Sequence, residues 1–295
     1  MSLFGMVTTK YSAPYTEHAL ASFFKNTPFS PDRDAFLLID NDNCYVIDRP
    51  RFPHVQLLQN TTPKGFAENA NLAVREALSR NQNLYFLNND LIFSEHWLDP
   101  ILLSPHAIIS PLSNRELQYS SEALNLTVAM ELSDYLGRES IFALIAKSHQ
   151  QTQKGTLNVL AVPFFCVHLP LIALERVGLF DVSFGKGGAE DYDYCLRAHL
   201  AGISVQYALS SYVLHFGGKS SWSGAESRDE QLAREKLFFD RFEEKWGATL
   251  KGILLREEIV GNLTEQQQRS VQSGDYQAVI KQLAPGDIAA IKIAP

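Results

Sequence analysis

From Leu3 to Phe93 the sequence switches back and forth between two apolar periods, with polar clusters at each switch. LFGMVTT (3–9), DAFLLIDND (34–42) and NLYFLNNDLIF (83–93) are short apolar runs bounded by polar residues. TEHALASFFKN (16–26), which stops ahead of Pro28, and GFAENANLAVREALS (65–79) carry their apolar residues at helical spacing. Strand–helix–strand–helix–strand at this spacing predicts βαβ units around a parallel sheet. In such sheets ligands collect at the carboxyl ends of strands. Thr8-Thr9-Lys10, Asp40-Asn41-Asp42-Asn43 and Asn88-Asn89-Asp90 all fall at those ends, so one rim of the sheet is the first candidate for a site.

The remainder is less regular. HAIISPLSN (106–114) reads as a strand leading into a loop, and residues 121–150 as one or two helices. QQTQKGT (150–156) reads as an exposed linker, AVPFFCVHLP (161–170) as a strand, and LIALERVGLFD (171–181) as a short helix and turn. ISVQYALSSYVLHFGG (203–218) is a further strand with His215 near its end. SRDEQLAREKLFFDRFEEKWG (227–247) is strongly helical, offering Leu232, Phe238, Phe239, Phe242 and Trp246 for burial. The stretch beyond it is Gln-rich and reads as a small appendage of helices.

A chain of 295 residues is one large domain or one and a half, and 45% hydrophobic with 20% charged residues is ordinary for a soluble enzyme. The net charge of −7, with no basic run or stripe, argues against nucleic acid as a partner. It does not forbid a phosphate-bearing ligand, because a metal ion can supply positive charge locally. Cys44, Cys166 and Cys195 cannot form a complete disulfide set and lack zinc spacing. No signal-peptide pattern and no apolar run near the ~20 residues of a membrane span is visible, so a reducing, cytosolic location is expected. The Asn-x-Ser/Thr matches at Asn60, Asn125 and Asn262 read as chance.

FGKGGAEDYDYCLR (184–197) sets Glu190, Asp191 and Asp193 at the mouth of a helix. Capping alone accounts for acids in a first turn, and Asp193 with Arg197 is a structural i,i+4 pair. The wider pattern gives the other two a further role. GFAENANLAVREAL, LYFLNNDLIF with Trp97-Leu98, VGLFDVSFGKGGAEDYDYCLRAHLAGISVQY and VLHFGGKSS occur in an order that resembles the family-two glycosyltransferases of the GT-A fold, especially the rhamnosyltransferase-like branch. The resemblance covers about residues 4–246. It is carried by the family's Gly-Phe-Ala…Asn helix start, its metal-binding strand, its "VGGFDE…GGEDvDLCLRl…G" stretch and its "vyHhgg(s)S" ending.

The resemblance implies an α/β fold: a mostly parallel, Rossmann-like central sheet flanked by helices, with a small C-terminal helical appendage. Residues 1–248 would be the transferase domain, with its donor half at about 1–100, its acceptor side at about 101–248, and 249–295 as the appendage. The implied activity is transfer of a sugar from a UDP- or dTDP-type nucleotide-diphosphate donor to a hydroxyl on a glycan or lipid-linked glycan. This places the chain in surface polysaccharide or glycan synthesis, in the cytoplasm or at the inner face of the membrane. A divalent cation, Mn2+ or Mg2+, would sit on Asp90 and His215, since a diphosphate leaving group develops charge that a cation stabilises. Asp191 would be the general base that deprotonates the acceptor, and Glu190 would bind acceptor or donor sugar.

Thr8, Asp40, Asn41, Asn71, Asn89 and Gly188 would hold the donor. Two departures stand out: Asn88-Asn89-Asp90 replaces the family's Asp-x-Asp, and VTTK replaces its VTYN, losing the Tyr. Two rival readings are a sugar nucleotidyltransferase, which needs a Gly-rich basic loop that VTTKYSAP is not, and a non-catalytic sugar-nucleotide or glycan-binding module.

Overall fold

A computed structural model describes residues 1–114, 130–219, 226–255 and 273–285, together with the isolated residues 265 and 269. Strands β1 (Ser2–Thr8), β2 (Ala35–Asp40), β3 (Val55–Gln59) and β4 (Asn83–Asn88) alternate with helices α1 (Ala13–Asn26) and α2 (Phe66–Arg80). β5 (Leu91–Phe93), α3 (Asp99–Leu102), β6 (Ile108–Ser113), α4 (Leu132–Tyr135), α5 (Glu139–Thr152), β7 (Thr156–Asn158) and β8 (Cys166–Leu169) follow. Next come α6 (Leu171–Val177), α7 (Glu190–Leu200), β9 (Val205–His215), α8 (Arg228–Leu255) and α9 (Tyr276–Leu283).

The strands form one mixed sheet in the order β3-β2-β1-β4-β8-β6-β9-β5, with β7 on β9. The expected parallel order holds from β3 to β4, whose partners run β1 with β2, β1 with β4 and β2 with β3. Beyond β4 the sheet changes character: β8 is antiparallel to β4 and β6, and β9 is parallel to β6 but antiparallel to β5 and β7. Helices cover both faces, so β2 is buried at every position and reads as a continuous apolar run rather than an alternating one.

Side-chain alternation sorts the strands into two cores. Leu3, Leu37, Ile39, Leu84 and Phe86 face α2. Phe4, Phe36, Leu38, Tyr85 and Leu87 face α1 with its Leu20 and Phe23. The face of α2 is Ala67, Ala70, Ala73, Val74 and Ala77, small residues at helical spacing that let the helix lie close to the sheet. Gly5 completes that contact: a Cβ there would stand 3.0 Å from Ala73 Cβ.

Several boundaries differ from the sequence reading. Val55–Gln59 forms an edge strand that its half-exposed, weakly alternating pattern does not announce. Pro163 lacks an amide donor, and the expected strand over 161–170 starts only at Cys166. Of the expected linker, Gln150–Thr152 finish α5 and Thr156 opens β7, leaving a three-residue turn. Within 121–150, helices occupy Leu132–Tyr135 and Glu139–Thr152, and the part before residue 130 lies outside the described residues. In α8, Phe242 and Trp246 are buried as expected, whereas Leu232 is 46% exposed. That helix breaks at Gly247, whose φ of 84° and contact with Pro285 demand glycine. After the break, Leu250, Leu254, Tyr276 and Ile280 join the core shared by α2 and α7.

Candidate active site

The sharp turn between β4 and β5 places Asp90 at the rim with no exposure to solvent. Its Oδ2 accepts the Lys219 backbone N–H at 3.1 Å, and its Oδ1 stands 3.5 Å from His215 Nε2. Among the described residues nothing donates a hydrogen bond to that Oδ1. Burial pushes the Asp90 carboxyl upward, but His215 and the amide of Lys219 outweigh it and hold the group below the usual range. His215, the last residue of β9, pairs with Leu91 across the sheet, stacks on Phe165 at 4.9 Å and donates its backbone N–H to Asn114 Oδ1 at 2.7 Å.

A buried carboxylate oxygen lacking a donor, facing an imidazole nitrogen, is a set that fits a divalent cation of the Mn2+ or Mg2+ kind. Among the described residues no third His, Cys, Asp or Glu joins it, so a ligand's own oxygens would have to complete the shell.

The acid pair opens α7, where the carboxylates meet the positive end of the helix and Arg197 and His199 meet its other end. Asp191 is half-buried; its Oδ1 accepts the N–H of Tyr192 at 2.8 Å and its Oδ2 that of Phe164 at 3.3 Å. Phe164 and Phe165 are consecutive, and one holds Asp191 while the other stacks on His215. One dipeptide thus contacts both Asp191 and His215, the neighbour of Asp90. Glu190 is 4% exposed, and its Oε2 accepts the Gly188 N–H at 2.6 Å. Burial, reinforced by the charge of Asp191, pushes its carboxyl up to about 8.

Asp193 forms the expected pair with Arg197, at 2.9 Å and fully inside the protein, where Trp246 Nε1 also donates to it.

The residues read as donor-binding divide differently. Asn89 is buried, and its amide donates to Ser12 Oγ and Thr16 Oγ1 at 2.7 Å each, latching the β4 end to the start of α1. Its Oδ1 is buried with no donor among the described residues. Thr8 shares a 2.7 Å hydrogen bond with Thr16 in the same latch. Asn71 exchanges two hydrogen bonds with the backbone of Phe180, at 3.0 and 2.7 Å, which clip α2 to the segment after α6. Asn41 Oδ1 accepts from Asn60, Asn69 and the Lys64 backbone. Asp40 Oδ2 accepts from Tyr45 and Gln59, while its buried Oδ1 has no donor among the described residues. At Gly188 a Cβ would stand 2.0 Å from Phe238, so α8 dictates this glycine.

A cavity of about 400 Å3 beyond the end of β2 is lined by Thr9, Tyr11, Asn41, Asp42, Lys64 and Lys186 among others. A larger cleft of about 1290 Å3 between α1 and α5 contains none of the candidate residues, and the smaller one, at the strand ends, contains only Asn41 of them. Sequence reasoning passed over Phe164, Ser12, Lys219 and Arg234. The last donates to the Gly187 carbonyl at 3.2 Å while pairing with Glu226 at 3.1 Å, and no local motif marks it.

No protein-family model and no curated protein sequence matches the chain. Solved structures do. GalNAc-T7 with UDP, GalNAc and Mn2+ superposes with a TM-score of 0.52 at 12% identity, over 91% of this chain and 54% of that one, so this chain spans about half its length. The mannosyltransferase PcManGT from Pyrobaculum calidifontis, in complex with GDP-Man and Mn2+, gives 0.51 at 13% over 98% and 77%. S. aureus TarS 1-349 in complex with UDP-GlcNAc gives 0.51 at 15% over 96% and 84%. These are GT-A glycosyltransferases, and the mixed α/β sheet with its flanking helices is the GT-A fold.

Proposed function

We propose that the chain is a metal-dependent, inverting glycosyltransferase of the rhamnosyltransferase-like branch, which moves a hexosyl group from a nucleotide-diphosphate donor to a hydroxyl of a glycan or lipid-linked glycan. The carrying observation is the dipeptide Phe164-Phe165, which joins the Asp90–His215 pair to Asp191 on a GT-A scaffold. The nucleotides, sugars and Mn2+ in the similar structures support the same class of chemistry.

Asp90 and His215 would hold the cation, which when bound stabilises the charge that grows on the departing diphosphate. Asp191 takes the proton of the acceptor hydroxyl as its oxygen attacks the anomeric carbon. The bond from that carbon to the diphosphate breaks on the opposite face, so the configuration inverts. Glu190 cannot share the task of base, because a carboxyl pushed up to about 8 is protonated at neutral pH. It acts instead as a hydroxyl donor to a sugar oxygen. Asp40 with its unused Oδ1, and Asn41 at the cavity wall, are the residues of the parallel half that reach the nucleoside; Thr8, Asn71, Asn89 and Gly188 frame the site.

Residues 1–248 carry the transferase and the segment after them buttresses α7. No helix among the described residues is long and apolar enough to cross a membrane.

Thermal unfolding with a panel of UDP-, dTDP- and GDP-sugars, with and without MnCl2, tests the reading. A donor that raises the midpoint only with the cation, and is then slowly hydrolysed, supports it. No shift with any member of the panel overturns it, and a shift without hydrolysis or transfer makes the chain a binding module.

A further inference from the structure

Past the end of β9, Gly217 and Gly218 adopt φ of 72° and 70°, a left-handed pair that turns the chain back over the rim. The turn delivers Lys219 to two partners at once. Its backbone N–H donates to Asp90 Oδ2 at 3.1 Å, and its ammonium pairs with Glu131 Oε1 at 2.8 Å. The other oxygen of Glu131 accepts the Tyr15 hydroxyl at 3.3 Å. Lys219 is thus fixed to the candidate cation ligand by its backbone while its charge rests on an acid from the 130–135 segment.

The two attachments differ in strength. Asp90 is buried, but the Lys219 and Glu131 side chains are 22% and 57% exposed, and an ion pair open to water contributes little and exchanges readily. Asp90 is itself a carboxylate, so a diphosphate brought against it needs positive charge nearby, and Lys219, attached to its Oδ2 through the backbone, is placed to supply some. Phosphate oxygens are better partners for an ammonium than a solvated carboxylate, because they accept several charge-assisted hydrogen bonds at once.

We propose that Lys219 is a diphosphate-binding residue, resting on Glu131 when no donor is bound and passing its ammonium to the phosphate oxygens when a nucleoside diphosphate arrives. The inference rests on the transferase reading and adds to it a residue and a partner exchange. Titration calorimetry with UDP and with dTDP in MnCl2, on the full chain and on K219A, K219R and E131Q, tests it. K219A should weaken binding by about 10-fold or more, K219R should restore most of it, and E131Q should bind as tightly as the parent or a few-fold tighter, since the competitor is gone.

Unchanged binding in K219A overturns this inference alone, and so does a loss in E131Q equal to that in K219A, which would make the pair a structural strut. Wild-type protein that binds neither of these nucleotides nor GDP overturns the transferase reading and this inference together. Should K219A lose its thermal transition, K219Q carries the same comparison.

Discussion

The two rims of the sheet carry similar side chains and use them in opposite ways. At the parallel rim, Asn41, Asn71 and Asn89 give their amides to the chain itself: to Lys64, to Phe180, and to Ser12 with Thr16. At the mixed rim, Asp90 leaves one buried oxygen without a donor among the described residues, and Glu190 is buried with its carboxyl pushed up to about 8. A buried polar group whose hydrogen bonds are met builds framework; one left short is a group held ready for something absent from the chain. By that criterion Asp40 and the carbonyl end of Asn89 belong with Asp90, although both stand on the parallel rim, because the Oδ1 of each also lacks a donor among the described residues. Residue type therefore did not separate framework from site; hydrogen-bond accounting narrows the choice, since among the described residues the same shortfall also marks Gln82, Arg197 and Gln206.

The largest test of this contrast is Asp191→Asn. Removing a general base lowers turnover by about 10^3-fold while donor affinity stays within about twofold. A fall in affinity matching the fall in turnover, measured by calorimetry beside an initial-rate assay, would return Asp191 to the framework class. Next is Asp90→Ala, which should abolish the enhancement of UDP or dTDP binding by MnCl2, a change of about 100-fold. A variant that still responds to the cation like the parent would show that the orphaned oxygen is not its ligand.

Much of this was legible in the sequence because it is local. The alternation of periods over residues 3–93 predicts β1, β2, β4, α1 and α2, and the strand ends mark the rim. Asp193 with Arg197 is visible from spacing alone. What was not legible depends on partners distant in sequence. Nothing in GFAENAN shows that Asn71 meets Phe180, or that Asn89 will reach Ser12, since each contact exists only after the sheet is assembled. Gly188 is expected to hold the donor, yet the space where its Cβ would stand is occupied by Phe238 from α8. The edge strand Val55–Gln59 escaped because exposure removes the apolar pattern on which such readings depend.

Asn71→Ala and Asn89→Ala approach the contrast from the framework side. Each leaves buried partners unsatisfied, the Phe180 backbone in one case and the Ser12 and Thr16 hydroxyls in the other, and should cost about 2 kcal/mol of stability. Denaturant midpoints should fall accordingly, while folded protein below its transition binds donor nearly as the parent does. A large loss of affinity with unchanged stability would show that these amides face the ligand after all.

The smallest effect sharpens the contrast within the site itself. Glu190 is raised in the folded chain to about 8 from a usual value near 4.5, first by burial and then by Asp191. Between those values the folded state holds a proton that the unfolded state has released, so stability must fall as pH rises through that window. Glu190→Gln removes the titration while keeping an oxygen to accept the Gly188 N–H. Between pH 5.5 and pH 8 its unfolding midpoint should decline less than that of the parent, by about 3 °C or more. Asp191→Asn should also flatten the parent's decline, because deleting the neighbouring charge lets Glu190 return toward its ordinary range. Parallel pH profiles for parent and both variants would mean that Glu190 is ionised in place, and its separation from Asp191 into hydrogen-bond donor and base would fail.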